Sequence, residues 1–168
     1  MSKDGEIMGK DRNKIKFIIM DVDGTLTDGK IHMGDDGEVF KSFNIKDGYG
    51  IHDIAMGLNI EPIIITGRKS RIVENRCNEL GISKIFQGIS DKLEILKNVT
   101  TDYKAVAYIG DDNNDIECMK FIKQEGGIIG CPKDSSADVI DIADYICEKC
   151  GGEGAVREFI EWLVETVI

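Results

Sequence analysis

The chain has 168 residues, with 21 Lys and Arg against 31 Asp and Glu, giving a formal net charge of −10 at pH 7. That length argues for one domain, and 42% hydrophobic with 31% charged residues supply a core and exclude a disordered chain. The acidic surplus argues against nucleic acid or an anionic membrane as a partner, since both call for clustered Lys and Arg.

Residues 1–14 are polar and mixed in charge, with no apolar stretch resembling a secretory signal. They read as an extension ahead of a single domain over residues 15–168. No apolar run approaches the ~18 residues that span a bilayer, so a cytoplasmic protein is expected. Residues 15–20, ending at Asp21, read as a buried parallel strand. Residues 31–43 alternate loosely around Gly34-Asp-Asp-Gly37, a hairpin signal. From 47 to 58, Ile51, Ile54, Ala55 and Leu58 share one helical face. Residues 61–66 form the next strand, with Pro62 at its mouth, and 70–80 the next helix, stopped by Gly81. A short strand at 84–86 precedes a helix capped by Ser90.

Residues 105–109 read as a buried strand, 114–123 as a helix, 128–129 as a strand, 136–143 as a short helix and 145–146 as a last strand. Residues 153–167 form an amphipathic helix with Val156, Phe159, Ile160, Leu163 and Val167 on its inner face. Strands alternating with helices imply an α/β, three-layer Rossmann-like fold: a mainly parallel sheet covered on both faces, plus a protruding β-hairpin. The five cysteines show no disulfide framework; Cys77 and Cys118 sit at core spacing. Cys147 and Cys150 form a lone CxxC without the second pair or histidines that a zinc site needs.

In such a sheet a ligand binds beyond the carboxyl ends of the strands. The residues there are Asp21 and Asp23, Thr66 and Gly67, Lys92, then Asp111, Asp112 and Asp115. Carboxylates gathered at one edge repel one another unless a cation sits among them, and a hard oxygen-seeking ion such as Mg²⁺ suits them. A hydroxyl, a backbone N–H and a lysine on neighbouring loops are what phosphoryl oxygens require. Asp21 and Asp23 leave the strand on the same side, so one carboxylate can attack phosphorus while the other handles the proton. Any one aspartate alone would read as a solvated turn residue.

Asp21-Val-Asp-Gly-Thr-Leu-Thr27, Thr66, Lys92 and Gly110-Asp-Asp-Asn-Asn-Asp115 resemble the four ordered motifs of the haloacid dehalogenase (HAD) superfamily. Asp28-Gly29, Phe43-Asn44, Lys46-Asp-Gly-Tyr-Gly-Ile51, Ile65-Thr-Gly-Arg-Lys69, Arg76-Cys77 and Gly151-Gly-Glu-Gly-Ala-Val-Arg-Glu158 resemble its 3-deoxy-D-manno-octulosonate 8-phosphate (KDO 8-phosphate) phosphatase family. The resemblance implies phosphomonoester hydrolysis through an aspartyl-phosphate on Asp21, with Asp23 as acid and then base. It implies Mg²⁺ held by Asp21, the Asp23 carbonyl and Asp111, supported by Asp112 and Asp115. Thr66 and Lys92 would hold the phosphoryl oxygens. Asp23, Asn44, Ile45, Lys46, Asp47, Gly48, His52, Gly67, Arg68, Arg76 and Lys92 match the substrate-binding positions. For Arg76 an internal ion pair is the competing reading, and for Arg157, which could reach a neighbouring site, a solvated helix face.

Only 44 residues separate Asp21 from Thr66, and 25 separate Thr66 from Lys92, which leaves no space for the cap domain of larger relatives. Closure from neighbouring subunits is expected instead, and the resemblance implies a homotetramer whose hairpins cover adjacent sites. Ile31, Met33, Val39 and Phe40 would otherwise be exposed. Two departures stand out: His52 where the family commonly has arginine, and Thr25 where it often has valine. The same contacts would serve neuraminate-type 9-phosphates, and a similar domain fused to acylneuraminate cytidylyltransferases sometimes serves assembly instead of catalysis. A phospho-receiver fits less well, because its phosphoacceptor follows a middle strand, whereas Asp21 follows the first.

Overall fold

The computed structural model describes residues 15–167, so the extension at 1–14 lies outside the described residues. The first apolar run is β1 (Phe17–Met20), and the loosely alternating segment is a hairpin of β2 (His32–Gly34) and β3 (Gly37–Phe40). A helical segment starts as α1 (Ile45–Tyr49) and is followed by β4 (Glu61–Ile65), α2 (Arg71–Leu80) and β5 (Lys84–Phe86). Then come α3 (Lys92–Val99), β6 (Val106–Ile109), α4 (Asn113–Gln124) and β7 (Ile128–Cys131). The chain closes with α5 (Ala137–Ile142), β8 (Tyr145–Ile146) and α6 (Ala155–Thr166).

Six strands form one sheet in the order β5-β4-β1-β6-β7-β8, each pairing parallel, while β2 and β3 pair antiparallel outside it. The expected α/β fold is thus observed. Alternation along β1 sends Ile18 and Met20 to one face, against α2 and α6, and Ile19 to the other, against α3 and α4. From β1 the chain runs outward to β5 and then crosses back to β6, and this reversal opens a crevice at the carboxyl ends of β1, β4 and β6. Between β1 and β4 there is only the hairpin and the helical segment, so no cap is inserted.

Two local expectations are corrected. The helix expected over 47–58 changes its winding: α1 gives way to a π-helical turn over Gly50–Ala55 and a 3₁₀ turn over Met56–Leu58. The widened turn lies against α6, where a Cβ on Gly50 would come within 3.0 Å of Arg157 Cδ. Asp91, not Ser90, caps α3, accepting from the Glu94 N–H at 2.9 Å, because a carboxylate is the stronger acceptor. That choice makes Lys92 the first residue of the helix.

Asp47 caps a helix 110 residues away: its Oδ1 accepts from the Arg157 N–H at 2.9 Å. Its Oδ2 is buried without a hydrogen-bond partner. Burial pushes the carboxyl up to about 6, outweighing the lowering by backbone N–H groups of α6 and the charges of Lys149 and Arg76. Between pH 3.8 and about 6 the folded chain keeps a proton that the unfolded chain has lost. The group's contribution is therefore full in acid and falls as pH rises through 6. Asp47→Asn keeps an acceptor and removes that loss. Urea unfolding is expected to show the variant more stable by on the order of 2 kcal/mol at pH 7.5, with the difference vanishing near pH 4. A destabilised variant at pH 7.5 contradicts this account.

Candidate active site

The loop after β1 folds tightly around one carbonyl: Val22 O accepts from the N–H groups of Thr25, Leu26 and Thr27. Gly24 has φ +89°, and a Cβ there would lie 1.9 Å from Asp111 Oδ2. No other residue type fits that position. Thr25 Oγ1 donates to Asp111 Oδ1 at 3.1 Å, so the position that departs from the family's frequent valine orients one of the acids.

Beneath the loop lies a buried charge cluster. Lys92 Nζ donates to Asp115 Oδ1 at 2.7 Å and stands 3.0 Å from Asp21 Oδ1. Burial alone would lower the Lys92 ammonium, but Asp21 and Asp115 outweigh it and raise its pKa. Asp115 is fully buried. Its Oδ1 also accepts from Tyr108 Oη at 2.6 Å, and its Oδ2 from the N–H groups of Asp111 at 3.0 Å and Asp112 at 3.3 Å. Asp112 caps α4 and forms a capping box with Asp115.

Oxygens of Asp21, Asp111 and Asp115 lie within 4.8 Å of one another. Asp115 already accepts four hydrogen bonds, which uses the ordinary capacity of a carboxylate. Asp21 Oδ1, by contrast, is buried with only the Lys92 ammonium beside it, at 3.0 Å. Burial, and then neighbouring carboxylates, push the Asp21 and Asp111 pKa values upward. A hard divalent ion between Asp21 and Asp111 fits this donor set, because both carboxylates keep accepting capacity that Asp115 lacks.

A cleft of about 310 Å³ opens above, lined by Asp21, Asp23, Gly29, Thr66, Gly67, Arg68, Asp111, Asp112, Asn113 and Asn114. Its size suits a small ligand. The cleft unites Asp21, Asp23, Thr66 and Asp111 with Gly67 and Arg68, while Lys92 and Asp115 lie buried behind Asp21. The other expected substrate contacts are not brought there. Asn44, Asp47, Gly48 and Arg76 line a separate, mostly apolar crevice. Asn44 spends its side chain on the N–H of Lys46 and on Gly152 O, and Asp47 on α6. These two side chains are engaged within the chain, and a substrate role for them stays a proposal. Arg76 pairs with Glu79 at 2.8 Å, the competing reading anticipated for it. Ile45, Lys46 and His52 are exposed along the helical segment.

Residue patterns did not single out Asn113, Asn114 or Tyr108. The asparagines stand inside the fourth motif, so their place at the cleft was open to the same rule that found Asp111. Tyr108 reads simply as an apolar strand residue. Cys147, the first cysteine of the CxxC, is buried with Sγ 3.4 Å from Ala155 O, and Cys150 is partly buried.

No family model matches the chain. The 3-deoxy-D-manno-octulosonate 8-phosphate phosphatase KdsC of Escherichia coli K12 is 42% identical over 163 residues, 95% of this chain and 84% of that protein. The chain belongs to the KDO 8-phosphate phosphatase family. The Yersinia pestis member of the family is 40% identical over 89% of this chain and 80% of its own length. Among solved family structures, that from Moraxella catarrhalis, with magnesium ion, phosphate ion and KDO, has a TM-score of 0.83 and 38% identity, covering 91% of this chain and 87% of that one. A cobalt-bound form from Haemophilus influenzae has a TM-score of 0.83 and 34% identity, covering 91% and 89%. As a KDO 8-phosphate phosphatase family member the chain is an enzyme, a phosphoric monoester hydrolase. Among the described residues, no helix is long and apolar enough to cross a membrane.

Proposed function

We propose that the chain hydrolyses KDO 8-phosphate with Mg²⁺ through an aspartyl-phosphate on Asp21. The observation that carries this is the Asp21 carboxylate, buried beside Asp111 with Oδ1 3.0 Å from the Lys92 ammonium. Mg²⁺, held by Asp21, Asp111 and the Asp23 carbonyl, supplies positive charge to neutralise the phosphoryl oxygens. Lys92 is fixed by Asp115 and offsets the nucleophile's charge. Thr66, with the N–H groups of Gly67 and Arg68, receives the remaining phosphoryl oxygens. Asp23 donates a proton to the departing sugar oxygen and then takes one from the attacking water. Arg68, half-exposed at the cleft, suits the substrate's carboxylate.

The hairpin supports an assembly of four chains. It turns Glu38 inward at 14% side-chain exposure, while Met33, Val39 and Phe40 stay 62%, 60% and 51% exposed. A polar inner and apolar outer surface is the reverse of a free hairpin and calls for a second copy. Ile45, Lys46 and His52, exposed outside the cleft of their own chain, are the expected substrate contacts that only a neighbouring chain's site could receive. Light scattering is expected to give the mass of four chains; a fully active monomer contradicts it.

The test of function is phosphate release from KDO 8-phosphate, a neuraminate-type 9-phosphate and a generic ester, before and after removal of divalent ions. Release from KDO 8-phosphate at least tenfold faster than from the others, lost on chelation and restored by Mg²⁺, is expected. A preference for the 9-phosphate overturns the substrate; no release from any ester overturns the enzyme and favours an assembly module.

A further inference from the structure

Lys41 follows β3, outside the residues that line the cleft, yet its side chain is only 1% exposed. Its ammonium lies 2.5 Å from Asp23 Oδ1 and 2.7 Å from Glu38 Oε1. Glu38 is in turn anchored away from the hairpin, accepting from Ser70 Oγ at 2.5 Å, just before α2. Arg68 closes the ring, with Nη2 3.8 Å from Glu38 Oε1 and Nε 4.0 Å from Asp23 Oδ2. Burial would lower the Lys41 ammonium, but hydrogen bonds to the two carboxylates prevail and keep it charged.

We propose that Lys41, held by Glu38, is the positioning residue that aims the Asp23 carboxyl at the leaving-group oxygen. The inference rests on the phosphatase reading above and deepens it. Asp21 is fixed from below by β1 and Lys92. Asp23 is half-buried and lies three residues beyond the end of the strand, so its carboxyl needs a separate fixture. Lys41 ties down Oδ1 and thereby assigns the exchangeable proton to Oδ2, the oxygen beside Arg68. Glu38 supplies the compensating negative charge, so the pair orients Asp23 while adding no net charge. A buried, doubly paired lysine is also held with little freedom to move, as the accuracy of a working acid demands. The hairpin thus serves the reaction in its own subunit with one surface, independently of what covers its apolar side.

The experiment compares two esters on the Mg²⁺-loaded full chain. KDO 8-phosphate must be protonated as its alkoxide leaves; p-nitrophenyl phosphate departs as a stable phenolate and needs no acid. The quantity compared is kcat/KM, because it covers steps only up to loss of the leaving group and omits hydrolysis of the aspartyl-phosphate, which both esters share. Lys41→Met is expected to lower kcat/KM for KDO 8-phosphate about a hundredfold and for p-nitrophenyl phosphate less than threefold. Lys41→Arg, which keeps a charged donor, is expected to restore most of the loss. The double variant Lys41→Met/Glu38→Gln leaves no unpaired buried charge and is expected to show the same selective loss, which secures the test if Lys41→Met folds poorly. Equal losses on both esters, or no loss on the sugar phosphate, overturn the proposal alone. A parent chain that releases phosphate from neither ester overturns the phosphatase reading and this proposal with it.

Discussion

Asp21→Asn is expected to lower phosphate release by at least about 10⁴-fold while leaving the fold intact. An amide of nearly the same shape cannot attack phosphorus, and nothing else at the cleft floor replaces it: Asp115 is saturated and Asp111 is held by Thr25. The prediction about stability is sharper than for most nucleophiles. Burial and the Asp115 charge raise the Asp21 pKa against the lowering effect of Lys92, so the ion-free chain pays to keep this carboxylate charged. A neutral amide removes that penalty, and Lys92 retains its Asp115 partner. Thermal unfolding without divalent ions should therefore place the variant's Tm no lower than the parent's. Retained turnover would dismiss Asp21 as the nucleophile; a large fall in Tm would make the activity loss uninformative.

Asp115→Ala is expected to do the opposite, destabilising the fold as well as removing activity. The carboxylate joins a lysine, a tyrosine hydroxyl and two backbone N–H groups. Its loss leaves Tyr108 Oη unpaired in a fully buried position and Lys92 with only Asp21. Breaking one side of such a buried network costs about 3–5 kcal/mol, which for a chain of this size lowers Tm by about 10 °C. Asp115→Asn is expected to recover little. Its carbonyl can serve Lys92 and Tyr108, but its NH₂ then faces the Asp111 and Asp112 N–H groups, donor against donor. Full recovery of Tm by Asn would mean that the residue acts by volume and not as an acceptor. Both variants separate by one pair of measurements, Tm and phosphate release, because Asp21 supplies chemistry and Asp115 supplies the frame.

Much of this architecture is written locally. Short branched runs at 15–20, 61–65 and 105–109 can only be buried strands at their length, and the rule for open parallel sheets then gathers whatever follows them. Asp21, Asp23, Thr66, Gly67, Asp111 and Asp112 were legible for that reason, as was the apolar exterior of the hairpin. Lys92 was picked out by the same rule, and the resemblance added its role; its helix is capped by Asp91 and not by Ser90.

What depended on three dimensions was the set of partners. Nothing near Asp47 in the chain announces that its carboxylate accepts from a helix terminus 110 residues later. Tyr108 alternates into the core like any strand residue, and only the packing of α4 delivers Asp115 to its hydroxyl. Glu38 and Lys41 look like an ordinary surface pair in a hairpin until that hairpin folds back onto the strand ends. Periodicity reports which residues are inside and where elements stop. Which polar atoms meet there is decided by long-range geometry, because a buried acceptor must find a donor wherever the fold supplies one. The acidic surplus shows both sides of this. Its sign and size were plain from composition, whereas the close approach of Asp21 and Asp111, which would let two of these acids share a cation, belongs to the folded chain.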